Sequence, residues 1–364
     1  MNKWKLTIID RYIIKKFLGT FFFALLLIIC VAVIFDLAEK IDDFMDKKAT
    51  IYGVIFDYYL NFIPYFAVLF SSLFTFISVI FFTSKMAYNT EIVAILNSGM
   101  SFRRLMYPYL LSAAFISAFS FLLSNFVLPQ SNRKRLTFEE IYVRARPYDY
   151  TKQNIHKQVE PGIFIYMKNF NNQTETGFQF SIEKFDGQKL VSKLMCDYVK
   201  WDSIKHKWTA YNVYIRDING LKEKLTKKDK VDTTFKIGPE EFKRRENYVD
   251  AMSLGELSRY IRTLRMQGAD NLSTYIIERE KRMAYPFSTF ILTMIGVTLS
   301  TRKVRGGIGV HIGTGLGLSF AYILFMQFSS QFAINGTLSP FFAAWIPNII
   351  FLIISIYLYR IAPK

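Results

Sequence analysis

FLGTFFFALLLIICVAVIF, the stretch from Phe17 to Phe35, holds 19 consecutive residues without a charge. An α-helix needs roughly 20 mainly apolar residues to cross the hydrocarbon core of a bilayer. The run is longer than the roughly 7–15 apolar residues of a secretory signal peptide, and no small-residue cleavage site follows it. Acidic residues follow instead, beginning with Asp36. The stretch therefore predicts a retained transmembrane helix.

Four more uncharged runs predict further spans. They contain 27, 28, 19 and 54 residues, and they lie at 58–84, 105–132, 283–301 and 306–359. The last run is long enough for two helices, which the turn-forming sequence Asn335-Gly-Thr-Leu-Ser-Pro340 separates. The chain is therefore predicted to cross the membrane six times, with three spans before a long polar segment and three after it.

Lysine and arginine residues in the short loops set the orientation, because cytoplasmic loops carry an excess of them. With the N-terminus in the cytoplasm, 13 basic residues fall on the cytoplasmic side and three on the other. The 13 are Lys3, Lys5, Arg11, Lys15, Lys16, Lys85, Arg103, Arg104, Arg302, Lys303, Arg305, Arg360 and Lys364, and the three are Lys40, Lys47 and Lys48. We therefore expect both termini in the cytoplasm and residues 133–278 outside it.

The polar middle segment has the pattern of β-strands between residues 158 and 237. Short runs rich in aromatic and β-branched residues are separated by turn sequences, which predicts a sandwich or barrel. Several strands are apolar on both faces, which fits either a packed β-core or a groove that accepts lipid. The spacing of Ser253 and Glu256 then predicts a capped helix leading to the fourth span. The predicted divisions are spans one to three at 1–132, the β-domain at 133–250, a linker helix at 251–278 and spans four to six at 279–364.

Several classes of function are excluded by what the sequence lacks. The span cores contain no Asp, Glu, Lys or Arg, whereas ion-driven transporters usually keep such residues at mid-membrane depth. No P-loop is present, so any transport must draw its energy from a partner chain. The three histidines are scattered, and we predict no catalytic residues, no metal site and no cofactor. The net charge is +17, but the positions of the basic residues matter more than their sum, and we predict no nucleic-acid binding. Cys30 and Cys196 are not expected to form a disulfide.

The loop between spans two and three predicts a short amphipathic helix near residues 89–99. Asn89-Thr90 supplies a candidate N-cap, Glu91 suits the positive end of the helix dipole, and Gly99 suits the C′ position. The apolar face is formed by Ile92, Ile95 and Leu96. This helix could rest on lipid as an interfacial connector, or it could dock into a cytoplasmic partner; the chemistry alone leaves both readings open.

Two other patterns have a structural and a functional reading. Gly309, Gly313 and Gly317 recur every four residues in span five, a spacing that serves static helix packing or a contact that slides or opens. Basic residues follow spans one and three at the outer boundary, namely Lys40, Arg133 and Arg135. They could solvate the junction or contact lipid phosphates.

The chain resembles the lipopolysaccharide-export permeases of the LptF/LptG (YjgP/YjgQ) family over almost its whole length, and the LptG-like branch slightly more. The fragments that carry the resemblance are Asp10-Arg-Tyr-Ile13, Glu91-Ile-Val-Ala-Ile-Leu-Asn-Ser-Gly-Met-Ser101, Tyr260-Ile-Arg-Thr-Leu-Arg-Met-Gln-Gly268, Arg282-Met-Ala-Tyr-Pro-Phe287, Arg302-Lys-Val-Arg-Gly-Gly307 and Ala344-Trp-Ile-Pro-Asn348. Their order, with three spans on either side of a β-rich insert, makes the combination more specific than any single fragment.

The resemblance implies a permease subunit in the inner membrane with a periplasmic, jellyroll-like β-domain. Its partners would be a cytoplasmic ATPase dimer, a second related six-span permease and a periplasmic bridge protein, with lipopolysaccharide as substrate. The helix near 89–99 would be the coupling helix, which inserts into a groove of the ATPase, with Glu91 as a favoured contact and Ile92, Ile95, Leu96 and Gly99 as further coupling residues. Span five would face span one of the other permease at a lateral gate. The alternative is a membrane-anchored periplasmic scaffold that transports nothing.

Overall fold

The computed structural model describes residues 6–143, 152–233, 237–239, 242, 246–269, 272–301 and 307–362. It divides into two compact units. The membrane unit comprises Met1–Val143, Asp250–Leu254 and Ser273–Lys364, and the β unit comprises Arg144–Val249 and Gly255–Leu272. The basic segment 302–306, which was predicted to be cytoplasmic, lies outside the described residues.

The elements follow one another in the order that the sequence predicts. The helices are α1 (Ile8–Asp46), α2 (Leu60–Tyr88), α3 (Glu91–Asn97), α4 (Phe102–Leu122), α5 (Leu128–Tyr142), α6 (Leu254–Met266), α7 (Leu272–Ser300), α8 (Gly307–Ile334) and α9 (Pro340–Ile361). The strands are β1 (Lys152–Glu160), β2 (Ile163–Asn171), β3 (Thr176–Asp186), β4 (Lys189–Asp202), β5 (Lys207–Asn219) and β6 (Lys222–Thr233). The π-helical turn Gly53–Tyr59 leads into α2, and a second π-helical turn, Leu123–Val127, joins α4 to α5.

Six stretches of helix within the described residues are long and apolar enough to cross a membrane, which confirms the predicted number of spans. They are Ile8–Asp46, Gly53–Tyr88, Phe102–Tyr142, Leu272–Ser300, Gly309–Ile334 and Pro340–Ile361. The first and third contain 39 and 41 residues, so they extend well beyond a hydrocarbon core of about 30 Å. The division predicted at residue 132 falls inside α5, and the division at 278 falls inside α7.

Helix α2 is the central helix of the membrane unit because its side chains belong to three of the described apolar clusters. One cluster joins α2 to α1 and α4 through Phe82, Phe17 and Tyr109, whose rings contact one another. A second joins α2 to α7, α8 and α9, and a third joins it to α1 and α5. In the second cluster, a Cβ added at Gly315 of α8 would lie 2.0 Å from the Cδ1 atom of Ile80. Any larger residue at this position would force the Ile80 side chain to move, so glycine lets α8 approach α2 closely.

The β unit contains one six-stranded antiparallel sheet in which each strand pairs with the next, in the order β1 to β6. The described strands thus form a meander, and a jellyroll-like arrangement stays a prediction. One face of the sheet buries a cluster that includes Phe170 and Trp208, both fully inaccessible. The Trp208 indole N–H donates to the carbonyl of Ile237 at 2.7 Å. Cys196 lies in the same cluster as a free thiol, and burial raises its pKa to about 12. These contacts are those of a packed core.

A row of left-handed residues crosses the sheet. Asn154 of β1, Gln179 of β3 and Asn212 of β5 have φ angles of 54°, 48° and 55°. The strand pairs on either side of each residue place all three at the same level of the sheet, on alternate strands. Non-glycine residues rarely adopt this conformation in a strand, because it costs about 1–3 kcal/mol per residue. The row is therefore a line of strained backbone across the sheet.

Candidate functional site

Helix α3 forms where the loop pattern predicts it, but it begins differently. Thr90 has a left-handed backbone with φ 64°, and its side chain makes no capping hydrogen bond to the helix. Its hydroxyl donates instead to the carbonyl of Asn89 at 2.6 Å, so the predicted side-chain N-cap is wrong. At the other end Gly99 has φ 88°, a conformation that glycine adopts without strain at the C′ position.

The predicted apolar face of α3 is turned toward the protein's own core. Ile92 is 1% exposed and belongs to the cluster of α1, α2 and α4, while Ile95 and Leu96 pack against that cluster. The exposed surface is formed by Val93, Ala94 and Asn97 together with the following Ser98 and Gly99. Any partner that approaches α3 therefore meets this second face.

Two side-chain contacts connect α1 with the loop helix and with α4. The Tyr12 hydroxyl donates to Oε2 of Glu91 at 3.0 Å, so Glu91 is not a free carboxylate. Arg104, near the start of α4, donates from Nη1 to Oδ1 of Asp10 at 2.7 Å and from Nη2 to Oδ2. Asp10 is 1% exposed and also accepts from the Thr7 backbone N–H and hydroxyl. Sequence reasoning missed this pair because its members are 94 positions apart.

A cavity of the membrane unit lies among α2, α4, α7 and α8, with a volume of about 620 Å³. Its walls are mostly apolar, with hydroxyl groups at intervals. Lining residues include Leu69, Phe70, Ser72, Ser124, Tyr285, Thr289, Ile323 and Met326. An apolar pocket of this size with a few polar groups is typical of a small-molecule site.

Charged side chains also line the cavity, and they come from α7 and from the segment before α6. Lys281, Arg282 and Glu278 lie on α7, and Asp250 lies just outside the spans. Burial, reinforced by the Glu278 carboxylate, raises the pKa of Asp250 to about 6, while Arg282 and Arg135 oppose this shift. The site thus combines an apolar wall with charged side chains of both signs.

Backbone carbonyls of 250–252 are held by side chains of the membrane unit. The Asn132 amide donates to the Asp250 carbonyl at 3.1 Å, and Nε of Arg133 donates to the Ala251 carbonyl at 3.0 Å. Arg282 donates from Nη1 to the Met252 carbonyl at 2.6 Å. This segment is therefore fixed beside the charged wall of the cavity.

The basic residues predicted to face lipid phosphates all have protein partners. Lys40 forms an ion pair with Asp36 at 2.7 Å, donates to the Tyr58 hydroxyl and lies 3.9 Å from Glu139. Arg135 pairs with Glu139 at 3.6 Å and lies over the ring of Tyr65. Arg133 donates to a backbone carbonyl, as described above. A role in phosphate binding stays a prediction, and it would require these side chains to exchange partners.

The three glycines predicted to form a packing or gate face are exposed. A Cβ added at Gly309, Gly313 or Gly317 would meet no atom within 4 Å, in contrast to Gly315. The face that they share is therefore not a contact between described helices of this chain. Among the described residues, no group of three or more His, Cys, Asp or Glu side chains could hold a metal ion.

The match to a known protein family spans both the membrane unit and the β unit. The family model described as "Lipopolysaccharide export system permease LptF/LptG" matches residues 11–361, which is nearly the whole chain. The chain belongs to this LptF/LptG permease family. A similar curated protein is an uncharacterized protein of Aquifex aeolicus (strain VF5), 23% identical over 303 residues, or 80% of this chain and 81% of the relative. The LptG-like branch is not resolved.

Family membership makes this LptF/LptG permease a multi-pass component of lipopolysaccharide export in the inner membrane. The cavity could not be identified from the sequence because its wall comes from separate helices that are distant along the chain. The charged cluster Glu278, Lys281 and Arg282 at the start of the fourth span was the available signal, since such residues next to an apolar run are often functional.

Proposed function

We propose that this permease extracts lipopolysaccharide from the inner membrane as part of an ATP-driven complex. The complex contains a second related six-span permease and a cytoplasmic ATPase dimer, and it passes the lipid to a periplasmic bridge protein. The observation that carries the proposal is the apolar cavity with a charged wall in a chain of this family. Lipopolysaccharide is an amphiphile with acyl chains and phosphate groups, and it matches both parts of the cavity.

In this proposal the acyl chains contact the apolar wall, and the phosphates approach Lys281. The Lys281 ammonium is the favoured contact because Arg282 is engaged with Glu278 and the Met252 carbonyl. Lys40, Arg133 and Arg135 are proposed as further phosphate contacts. The exposed glycine face at Gly309, Gly313 and Gly317 is proposed to meet span one of the other permease, where lipid enters sideways.

The proposed energy source is the ATPase, which docks on the exposed side of α3. Val93, Ala94 and Asn97 supply the contact surface, and Ile92, Ile95 and Leu96 anchor the helix from behind. The loop faces the cytoplasm and the β unit faces the periplasm, as the distribution of basic residues predicts. Protease added to intact spheroplasts should then cut within 150–240.

A reconstituted complex tests the transport proposal. Liposomes that contain the permease, its partner permease, the ATPase and lipopolysaccharide should release the lipid to the bridge protein only when ATP is present. Ser124→Trp fills the cavity and should reduce release, whereas Leu122→Trp, on the exposed surface two residues away, should not. Equal release by both variants would exclude the cavity from the transport path, and ATP-independent release would exclude the mechanism.

Co-purification tests the docking surface separately. Val93→Arg should prevent the tagged permease from retaining the ATPase, because a charge replaces an exposed apolar contact. Ile51→Arg is the matched control, since Ile51 is also an exposed apolar residue but lies at the opposite end of the second span. Retention of the ATPase by Val93→Arg would show that α3 is not the docking site. A scaffold without transport activity would bind partners but release no lipid.

A further inference from the structure

The cytoplasmic end of α1 is joined to α4 by a fork-to-fork contact. The two terminal guanidinium nitrogens of Arg104 donate to the two carboxylate oxygens of Asp10, one nitrogen to each oxygen. A bidentate pair of this kind fixes orientation as well as distance, because the two groups must remain coplanar. The Thr7 hydroxyl and backbone N–H both donate to Oδ2 of the same carboxylate, and these bonds fix Asp10 within the first turn of α1. The first turn of α1 therefore cannot shift relative to α4 without breaking the two Arg104–Asp10 hydrogen bonds.

A second contact joins the same end of α1 to α3. Tyr12 lies two residues after Asp10, and its hydroxyl donates to Glu91, the first residue of α3. The next residue, Ile92, is buried in the apolar cluster that α1, α2 and α4 share. Helix α3 thus has a polar contact to α1 and an apolar anchor directly beside it.

Through these contacts α3 is connected to α1 directly and to α4 through α1. A short loop helix held only by its chain ends would tilt under load while the spans stayed in place. Here, Glu91 is hydrogen-bonded to Tyr12 of α1, and Asp10 and Arg104 join α1 to α4. These side-chain contacts connect the first residue of α3 with the start of span one.

We propose that Asp10, Arg104 and Tyr12 are positioning residues that transmit movement of α3 to span one. The inference rests on the proposed function, because it takes α3 as the surface that the ATPase moves and span one as a border of the lipid entrance. It goes beyond docking, since none of the three residues forms the exposed face of α3. In this proposal they couple the movement that ATP hydrolysis causes in α3 to the movement of span one.

The test is the number of lipopolysaccharide molecules released per ATP hydrolysed by the reconstituted complex. Tyr12→Phe removes one hydroxyl, and Arg104→Lys keeps the charge but loses the fork. Both variants should retain the ATPase and hydrolyse ATP at a rate close to wild type, while the ratio falls several-fold. Arg103→Lys is the matched control, because Arg103 is the adjacent exposed arginine, and its ratio should equal that of wild type.

The outcomes separate the two proposals. If the wild-type complex releases no lipopolysaccharide with ATP, the proposed function fails and this inference fails with it. If wild type releases lipid and Tyr12→Phe keeps the wild-type ratio, the inference is overturned while the proposed function stands. A loss of ATPase retention in Tyr12→Phe at an unchanged ratio would also overturn it, because the contact would then serve docking. Tyr12→Phe is sufficient even if Arg104→Lys does not fold, since it changes no charge.

Discussion

Asp250 gives the permease a pH-dependent stability whose sign and size follow from its surroundings. Its carboxyl has a pKa of about 6 in the folded protein against an ordinary value of 3.8, mainly because of burial and secondarily because of Glu278. Lys281, Arg282 and Arg135 act in the opposite direction. The folded state therefore binds a proton between pH 4 and 6 that the unfolded state has released.

The sign follows from linkage. Stability falls with rising pH wherever the folded state binds more protons, so the free energy of unfolding decreases from about pH 4 to about pH 6 and then levels off. A shift of about 2 pH units corresponds to about 3 kcal/mol at most, at about 1.4 kcal/mol per unit. Asp250→Asn keeps the shape and removes the charge, so it should be more stable than wild type above pH 6 and similar below pH 4.

Thermal unfolding of the purified chain in detergent, measured from pH 4 to 8, provides the assay. The difference between Asp250→Asn and wild type isolates this one carboxyl from all other titrating groups. Asp202→Asn is a control of opposite sign, because hydrogen bonds from the backbone N–H groups of Lys205 and Ile204 lower the pKa of the exposed Asp202. A stability difference between Asp250→Asn and wild type that is constant with pH would refute the reasoning.

Three further outcomes follow from packing and burial. Gly315→Leu should lower the melting temperature by an overpacking cost of about 1–3 kcal/mol, whereas Gly313→Leu, which meets no neighbour, should leave the isolated chain as stable as wild type. Trp208→Phe leaves its partner carbonyl unpaired in the β core, and a loss of about 1–3 kcal/mol should appear as faster chymotrypsin cleavage of the β unit. The Cys196 thiol should resist maleimide at pH 8 until the protein unfolds, while a thiol introduced by Ile204→Cys on an exposed turn should react at once.

The spans and their order could be predicted because the hydrophobic requirement of a bilayer acts on consecutive residues. The run from Phe17 to Phe35 needs no knowledge of its neighbours to be read as a helix. Glycine at position 99 was predictable for the same reason, since a helix end is a local feature. The extension of α5 to Tyr142 was not, because polar residues beyond the bilayer carry no comparable signal.

The direction of the α3 face could not be predicted from periodicity. Ile92, Ile95 and Leu96 identify an apolar stripe, but a stripe does not say whether it packs on lipid, on a partner or on the same chain. The structure places it on the core formed by α1, α2 and α4, which makes Val93 part of the available surface. The same limit applies to Lys40, whose partner Glu139 lies on a different span.

The left-handed residues at 154, 179 and 212 have a consequence for how this β unit can vary in length. An added or deleted residue inside a strand would move that strand's left-handed position out of the row that the three strands share. Hairpin tips carry no such alignment and can lengthen freely. Natural variants should therefore differ in their turns, while β1, β3 and β5 each keep the number of residues between the left-handed position and the strand ends constant.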